Sequence, residues 1–196
     1  MKQVWLLLLS LIVLSVSGIA WLQRRVDPPV QSVVASSLQS LHEQNRLSAF
    51  AARFVTVVTS GKDQLGLHAE KTLIVPALVR YEIDLAKLEQ RDVRWDDAAK
   101  TLRIALPRVE ISGPEFDLAQ VREYQSGTLL LTLTDAETSI DQANRAKAKA
   151  DMIAQANAAP MLRLARDASA RAIERSFALP LAAAGIEAKV EVEFEQ

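Results

Sequence analysis

The chain has 196 residues, 49% hydrophobic and 24% charged, with 23 basic and 24 acidic side chains. That suffices for one domain with a core and is short for two domains and a linker, and the charge balance excludes a polyanion binder of the usual basic kind, so no nucleic acid is expected. The absence of Cys excludes thiol catalysis, disulfides and cysteine-held metals; two His leave little material for imidazole or zinc chemistry; 6 Gly and 7 Pro exclude a collagen-like or mainly disordered chain.

Val4 to Leu22 is a run of 19 residues without a charge. As a helix it rises about 28 Å, near the hydrocarbon thickness of a bilayer. Trp5 and Trp21 suit the two interfaces, and Lys2, Arg24 and Arg25 flank the run. Residues 1–26 are therefore read as a membrane anchor. The competing reading is a cleaved signal peptide, with small residues at Ser15-Val16-Ser17 and Gly18-Ile19-Ala20, but the run exceeds an ordinary signal-peptide core. Flanking charges nearly tie; the orientation expected is a single pass through the inner membrane with the C-terminal domain extracytoplasmic.

Residues 27–32, with Pro28-Pro29, read as a short stiff linker, and residues 33–196 as one domain. Val34, Leu38 and Leu41 form a helical stripe within Val33 to Gln44. Leu47 to Thr59 turns β-branched and aromatic, predicting a strand that ends at Ser60-Gly61-Lys62-Asp63. Thr72 to Asp84 predicts a second strand bent at Pro76, with Val79, Tyr81 and Ile83 on one face. Leu85 to Leu88 reads as one helical turn. Asp92–Asp96 and Thr101–Leu106 alternate and form a hairpin around Asp97-Ala98-Ala99-Lys100; Val109 to Ile111 resumes an extended path, and Thr128 to Leu133 is read as a short strand.

From Asp135 to Ala184 the composition turns rich in Ala, Arg, Lys and Gln. Thr134-Asp135-Ala136-Glu137 has capping-box spacing, Pro160 suits the first turn of a second helix, and Gly185 suits its end. The expected inner stripe is Ile140, Ala143, Lys147, Ala150 and Ala154, continued by Leu164, Ala168, Ala172 and Phe177. Much of the basic charge here is expected to be answered locally by the pairs Asp141–Arg145, Arg163–Asp167 and Asp167–Arg171, leaving a residual excess for solvent, anionic lipid or an acidic partner. Bulky residues follow Pro160, so the second helix is expected to dock on the sheet and helix 137–157 to project toward a second copy or a protein partner. Glu187 to Glu195 alternates strictly and predicts a closing strand with Ala188, Val190, Val192 and Phe194 inward.

Four phrases stand in a characteristic order: Ser36-Ser37-Leu38-Gln39-Ser40-Leu41, Arg53-Phe54-Val55-Thr56-Val57-Val58-Thr59, Val79-Arg80-Tyr81-Glu82-Ile83-Asp84-Leu85 and Ile104-Ala105-Leu106-Pro107-Arg108-Val109-Glu110-Ile111. With the late Ala-rich helix and closing strand, they resemble the uncharacterised bacterial family called domain of unknown function 4230, over roughly residues 33–194. The resemblance implies an N-terminal anchor and an α+β domain and brings no activity, ligand or catalytic residue. The layout is also similar in outline to stomatin- and prohibitin-type scaffolds, an analogy of architecture alone.

Candidate chemistry is sparse. His42 and His68 lack the spacing of a metal pair. Asp92, Asp96 and Asp97 are near in sequence, as are Glu82 and Asp84, and paired carboxylates can do acid–base work or bind calcium. Ser60-Gly61-Lys62 lacks the earlier Gly of a phosphate loop, since Thr56 stands there. Ser36 and Ser37, with His42 as base, read better as capping or solvated residues. No residue is assigned as catalytic, cofactor-binding or metal-ligating, and no cofactor is expected.

The expected architecture is α+β: a transmembrane helix, then a mostly antiparallel sheet with a long Pro-interrupted helical segment and a C-terminal strand. The expected function is a membrane-anchored envelope protein that binds or assembles through the bilayer (residues 4–22) and through helix 137–157; a membrane-associated hydrolase using Asp92 and Asp96 is the alternative.

Overall fold

The computed structural model describes residues 29–195; the apolar run Val4–Leu22 lies outside them. Among the described residues no helix is long and apolar enough to cross a membrane. Helix α1 (Val30–Gln44) begins earlier than expected, directly after Pro29, whose carbonyl accepts a hydrogen bond from Ser32 Oγ at 2.9 Å. Its inner face carries Ser37, Leu38 and Leu41.

Strands β1 (Arg46–Gln64) and β2 (Leu67–Asp84) form one long antiparallel hairpin, paired from Arg46↔Asp84 to Gln64↔Leu67. β1 does not stop at Ser60-Gly61, as expected, but runs on to Gln64; Gly61 pairs with Glu70 in the ladder, where a Cβ would press on Ala69 O at 3.1 Å, so the glycine serves a close approach of the strands rather than a turn. The turn is Leu65-Gly66, with φ of 56° and 75°. Two positive φ values match the right-handed twist of a two-residue hairpin loop.

Side chains alternate as a half-buried sheet requires: Thr56, Val58 and Ser60 from β1, and Leu73, Val75, Val79, Tyr81 and Ile83 from β2, point inward. β2 also runs straight through Pro76. Its other edge is taken by β5 (Glu110–Phe116) over Ala77–Glu82 and by β6 (Arg122–Ser126) over Glu70–Ile74. Asp117 N donates to Pro76 O at 3.0 Å, so Pro76 faces that edge where β5 hands over to β6. A residue without an N–H is tolerated at such a gap in the ladder.

The second sheet has three strands: β3 (Val93–Asp96) and β4 (Thr101–Leu106) form the expected hairpin, and the closing strand β7 (Lys189–Phe194) joins β4. That last pairing is parallel, Leu102↔Val190 to Leu106↔Phe194, so the fold is α+β and mostly antiparallel, in two sheets rather than one. Val190 is buried, while Val192 and Phe194 are partly covered because β7 is an edge strand.

Thr128–Leu133 is a short helix, α2, not the expected strand. Gly127 at φ 74° turns the chain into it, and Leu130 and Leu131 bury against Ala69, Ala136 and Ile140. Thr132 and Thr134 bond back to the carbonyls four residues earlier, so hydroxyls that favour other backbones are accommodated in the turn. α3 (Ala136–Ala156) and α4 (Ala159–Ala183) follow, joined at Asn157-Ala158, with Pro160 in the first turn and Gly185 beyond the end, as expected.

Both helices lie on β1, not the second alone. Their buried stripes run every fourth residue: Ala136, Ile140, Asn144, Ala148, Met152 and Ala156 on α3, and Ala165, Ser169, Ile173, Phe177 and Leu181 on α4. The expected stripe is thus rotated, and Ala143, Lys147, Ala150, Ala154 and Leu164 face outward. Asn144 explains the shift, because its amide donates to Lys71 O at 2.8 Å and so fits a slot that apolar periodicity passes over. Lys147 Nζ reaches Thr59 O at 2.8 Å, and Tyr81 Oη donates to Ala156 O at 2.9 Å, satisfying one terminal carbonyl of α3. The largest core joins α1, the end of β2, the second sheet and the second half of α4 around Phe177 and Leu102.

Candidate functional site

The residues singled out by sequence do not converge. His42 hydrogen bonds Leu88 O at the base of the hairpin, whereas His68 meets Asp63 at 2.8 Å beside its tip. Asp92 Oδ2 accepts from Glu89 N at 2.8 Å and Asp96 Oδ1 from Ala99 N at 3.0 Å, each closing a turn. Asp96 also faces Arg103 at 3.5 Å. Asp97 is held below the usual carboxylate range by Lys100 and Trp95. Asp84 and Glu82 belong to a surface network in which Arg46 spans Glu82 and Glu110, and Lys87 spans Asp84 and Glu110; Lys87 lowers the pKa of Glu110. Ser36 and Ser37 lie on α1, and neither hydroxyl meets His42. Ser60, Gly61 and Lys62 are strand residues of β1. Among the described residues no group of three or more His, Asp or Glu is placed to hold a metal ion.

The fold makes a different feature at the handover from β5 to β6. Between these strands the chain leaves the edge of β2 through a 3₁₀ turn, Leu118–Gln120, while the only buried side chain that α3 presents opposite is the small Ala148. The result is a groove of about 520 Å³. Leu73, Val75 and Ala148 form its floor, and Phe116, Leu118 and Val121 its wall. Leu118 is 80% exposed and Phe116 37%, so this wall is apolar surface left open to water. Glu123, Arg145 and Lys149 stand at the rim.

Next to the groove lies Lys71, only 3% exposed although it is a lysine on an inward slot of β2. Its ammonium meets Asp141 at 2.8 Å, Glu123 at 2.9 Å and Glu137 at 3.6 Å, tying β2 to β6 and α3. Burial works to lower its pKa, but the hydrogen bonds to Asp141 and Glu123 outweigh it, so the pKa lies well above the ordinary lysine range. This corrects the expected i, i+4 pairing. Asp141 turns inward to Lys71, which is desolvated and close, rather than outward to Arg145. Arg145 and Lys149 make no ion pair or side-chain hydrogen bond among the described residues, and neither do Arg163, Asp167 and Arg171. Sequence reasoning missed both Lys71 and the groove. The signal for Lys71 was present: a charge in register with Ala69, Leu73 and Val75 on the inner face of a strand. The groove had none, because it arises where three distant segments fail to touch.

Fold and groove define a small α+β domain with an amphipathic surface cleft. The chain belongs to the family described as Protein of unknown function (DUF4230), whose pattern matches residues 39–192. No curated protein and no solved structure matches it.

Proposed function

We infer that this is a membrane-anchored bacterial envelope protein whose domain binds or assembles rather than catalyses. The observation that carries this reading is how the reactive side chains are spent. Asp92 and Asp96 close turns, and each histidine is spent on a hydrogen bond within the fold, whereas the groove at the β5–β6 handover is apolar with Glu123, Arg145 and Lys149 at its rim. Ligand-holding sites have that composition; acid–base catalysis needs convergent titratable groups. The hydrolytic alternative with Asp92 and Asp96 has no observation in its favour.

Residues 4–22 would span the inner membrane with the domain on the extracytoplasmic side. Fewer than ten residues separate Leu22 from Val30, which keeps the start of α1 within about 30 Å of the bilayer. The outward face of α3, with Ala143, Ala150 and Ala154, is the surface proposed to meet a second copy or a partner.

Cross-linking of the full-length chain in membranes tests the reading. Wild type should give a defined adduct, and Ala143→Glu with Ala150→Glu should abolish it while changing stability by less than about 0.5 kcal/mol, since both positions are exposed. A purely monomeric wild type, or a double variant that unfolds, would contradict the assembly surface.

A further inference from the structure

We propose that the groove at the β5–β6 handover binds a single-chain anionic amphiphile drawn from the membrane, its acyl chain along Leu73, Val75 and Leu118 and its carboxylate at Arg145 and Lys149. The proposal rests on reading the domain as a binding module beside a bilayer and adds what it binds. Volume argues for a small ligand: about 520 Å³ lies in the range of small-molecule sites, whereas a protein partner needs a far wider surface. The lining is apolar within and charged at the rim, which is the polarity of a fatty acid.

The charge at that edge is set by the packing of Lys71. Asp141 sits one helical turn before Arg145 and would neutralise it, but is engaged by Lys71 at 2.8 Å. Glu123, the one carboxylate on the rim, is likewise held by Lys71, at 2.9 Å. Lys71 carries one charge against three carboxylates, Asp141, Glu123 and Glu137, so Arg145 and Lys149 bring the neighbourhood to balance; neither makes an ion pair among the described residues, and both line the groove, one turn apart on α3. A cationic pair beside an apolar trough favours an anion with a tail over a neutral lipid, because only the anion adds Coulombic attraction, and two acceptor oxygens, to the hydrogen bonds that both groups donate. Ala148 is the necessary floor: a larger side chain there would fill the space that the chain occupies.

The test uses the full-length protein in phosphatidylcholine nanodiscs with a diazirine-bearing palmitate, and maps the photolabel by peptide mass spectrometry. Label should fall on the segments around Leu118 and Ala148. It should drop roughly tenfold in Arg145→Glu/Lys149→Glu, a pair on the solvent side of α3. Excess palmitate should displace it and hexadecanol should not. Ala148→Phe should also block it; because Ala148 is buried, the charge-reversal pair supplies the reading should that variant melt early. Label confined to residues 4–22, equal label in the charge-reversed chain, or equal competition by hexadecanol would overturn the proposal. So would a cross-link from a photoreactive residue at Leu118 to another polypeptide without lipid label. Groove label in a chain that washes off membranes would support the site while removing the anchor; a membrane-bound chain without groove label would sink the site alone.

Discussion

At the scale of residues, the strongest constraints fall where an ordinary side chain meets an unusual slot. Leu65 is 77% exposed and holds φ 56° in the hairpin turn, a conformation that a leucine adopts at a cost and Asn adopts readily. Leu65→Asn should raise the stability of the full-length protein by about 0.5–1 kcal/mol in urea unfolding; a loss would show that Leu65 has a partner in the native assembly. Gly127 is constrained more tightly, since a Cβ there would lie 2.1 Å from His68 O. Lys71 is the buried charge on which β2, β6 and α3 converge. Lys71→Met leaves Asp141, Glu123 and Glu137 facing one another and should cost about 3 kcal/mol, with much of it regained when Asp141→Leu is added. The pKa of Lys71 is raised by folding, so its contribution is complete below the ordinary lysine pKa and is lost only as pH rises through the higher folded value. Wild type should therefore lose stability at strongly alkaline pH more steeply than the Met/Leu pair; parallel curves would refute the assignment.

At the scale of elements, alternation proved the most legible signal and Ala-rich periodicity the least. The hairpin strands, the β3–β4 pair, the closing strand, the break at Pro160 and the end at Gly185 follow from period-two patterns and backbone chemistry visible in the chain. β6 was not legible because all five of its residues are exposed, so neither face marks it as a strand. α2 was misread because two threonines and four leucines in six residues carry no clear period; burial of Leu130 and Leu131 under β2 decides the matter. The stripe on α3 was misplaced because Ala populates both faces and the deciding residue is Asn144, chosen by the Lys71 carbonyl on another element. Packing separates the two phenylalanines at the base. Phe177 is fully buried and Phe194 partly covered on an edge strand, so Phe177→Ala should cost about 4 kcal/mol and Phe194→Ala about 2. Equal losses in urea titration would mean that β7 is covered by more than β4 and α4.

At the scale of the whole molecule, a long hairpin braced by α3 and α4 rises from a base built of α1, the second sheet and the end of β2. The two histidines lie apart, Asp92 and Asp96 each close a separate turn, and Glu82 and Asp84 are tied into a surface ion-pair network, while the amphipathic groove emerges from an edge handover that only the folded chain displays. The central claim, a binding domain fixed at a membrane by residues 4–22, is tested most directly by extracting membranes with alkaline carbonate and measuring the intact mass of the full-length protein. The chain should remain with the membrane and retain Met1 or begin at Lys2; a carbonate-soluble protein beginning at Gly18 or Trp21 would contradict the claim.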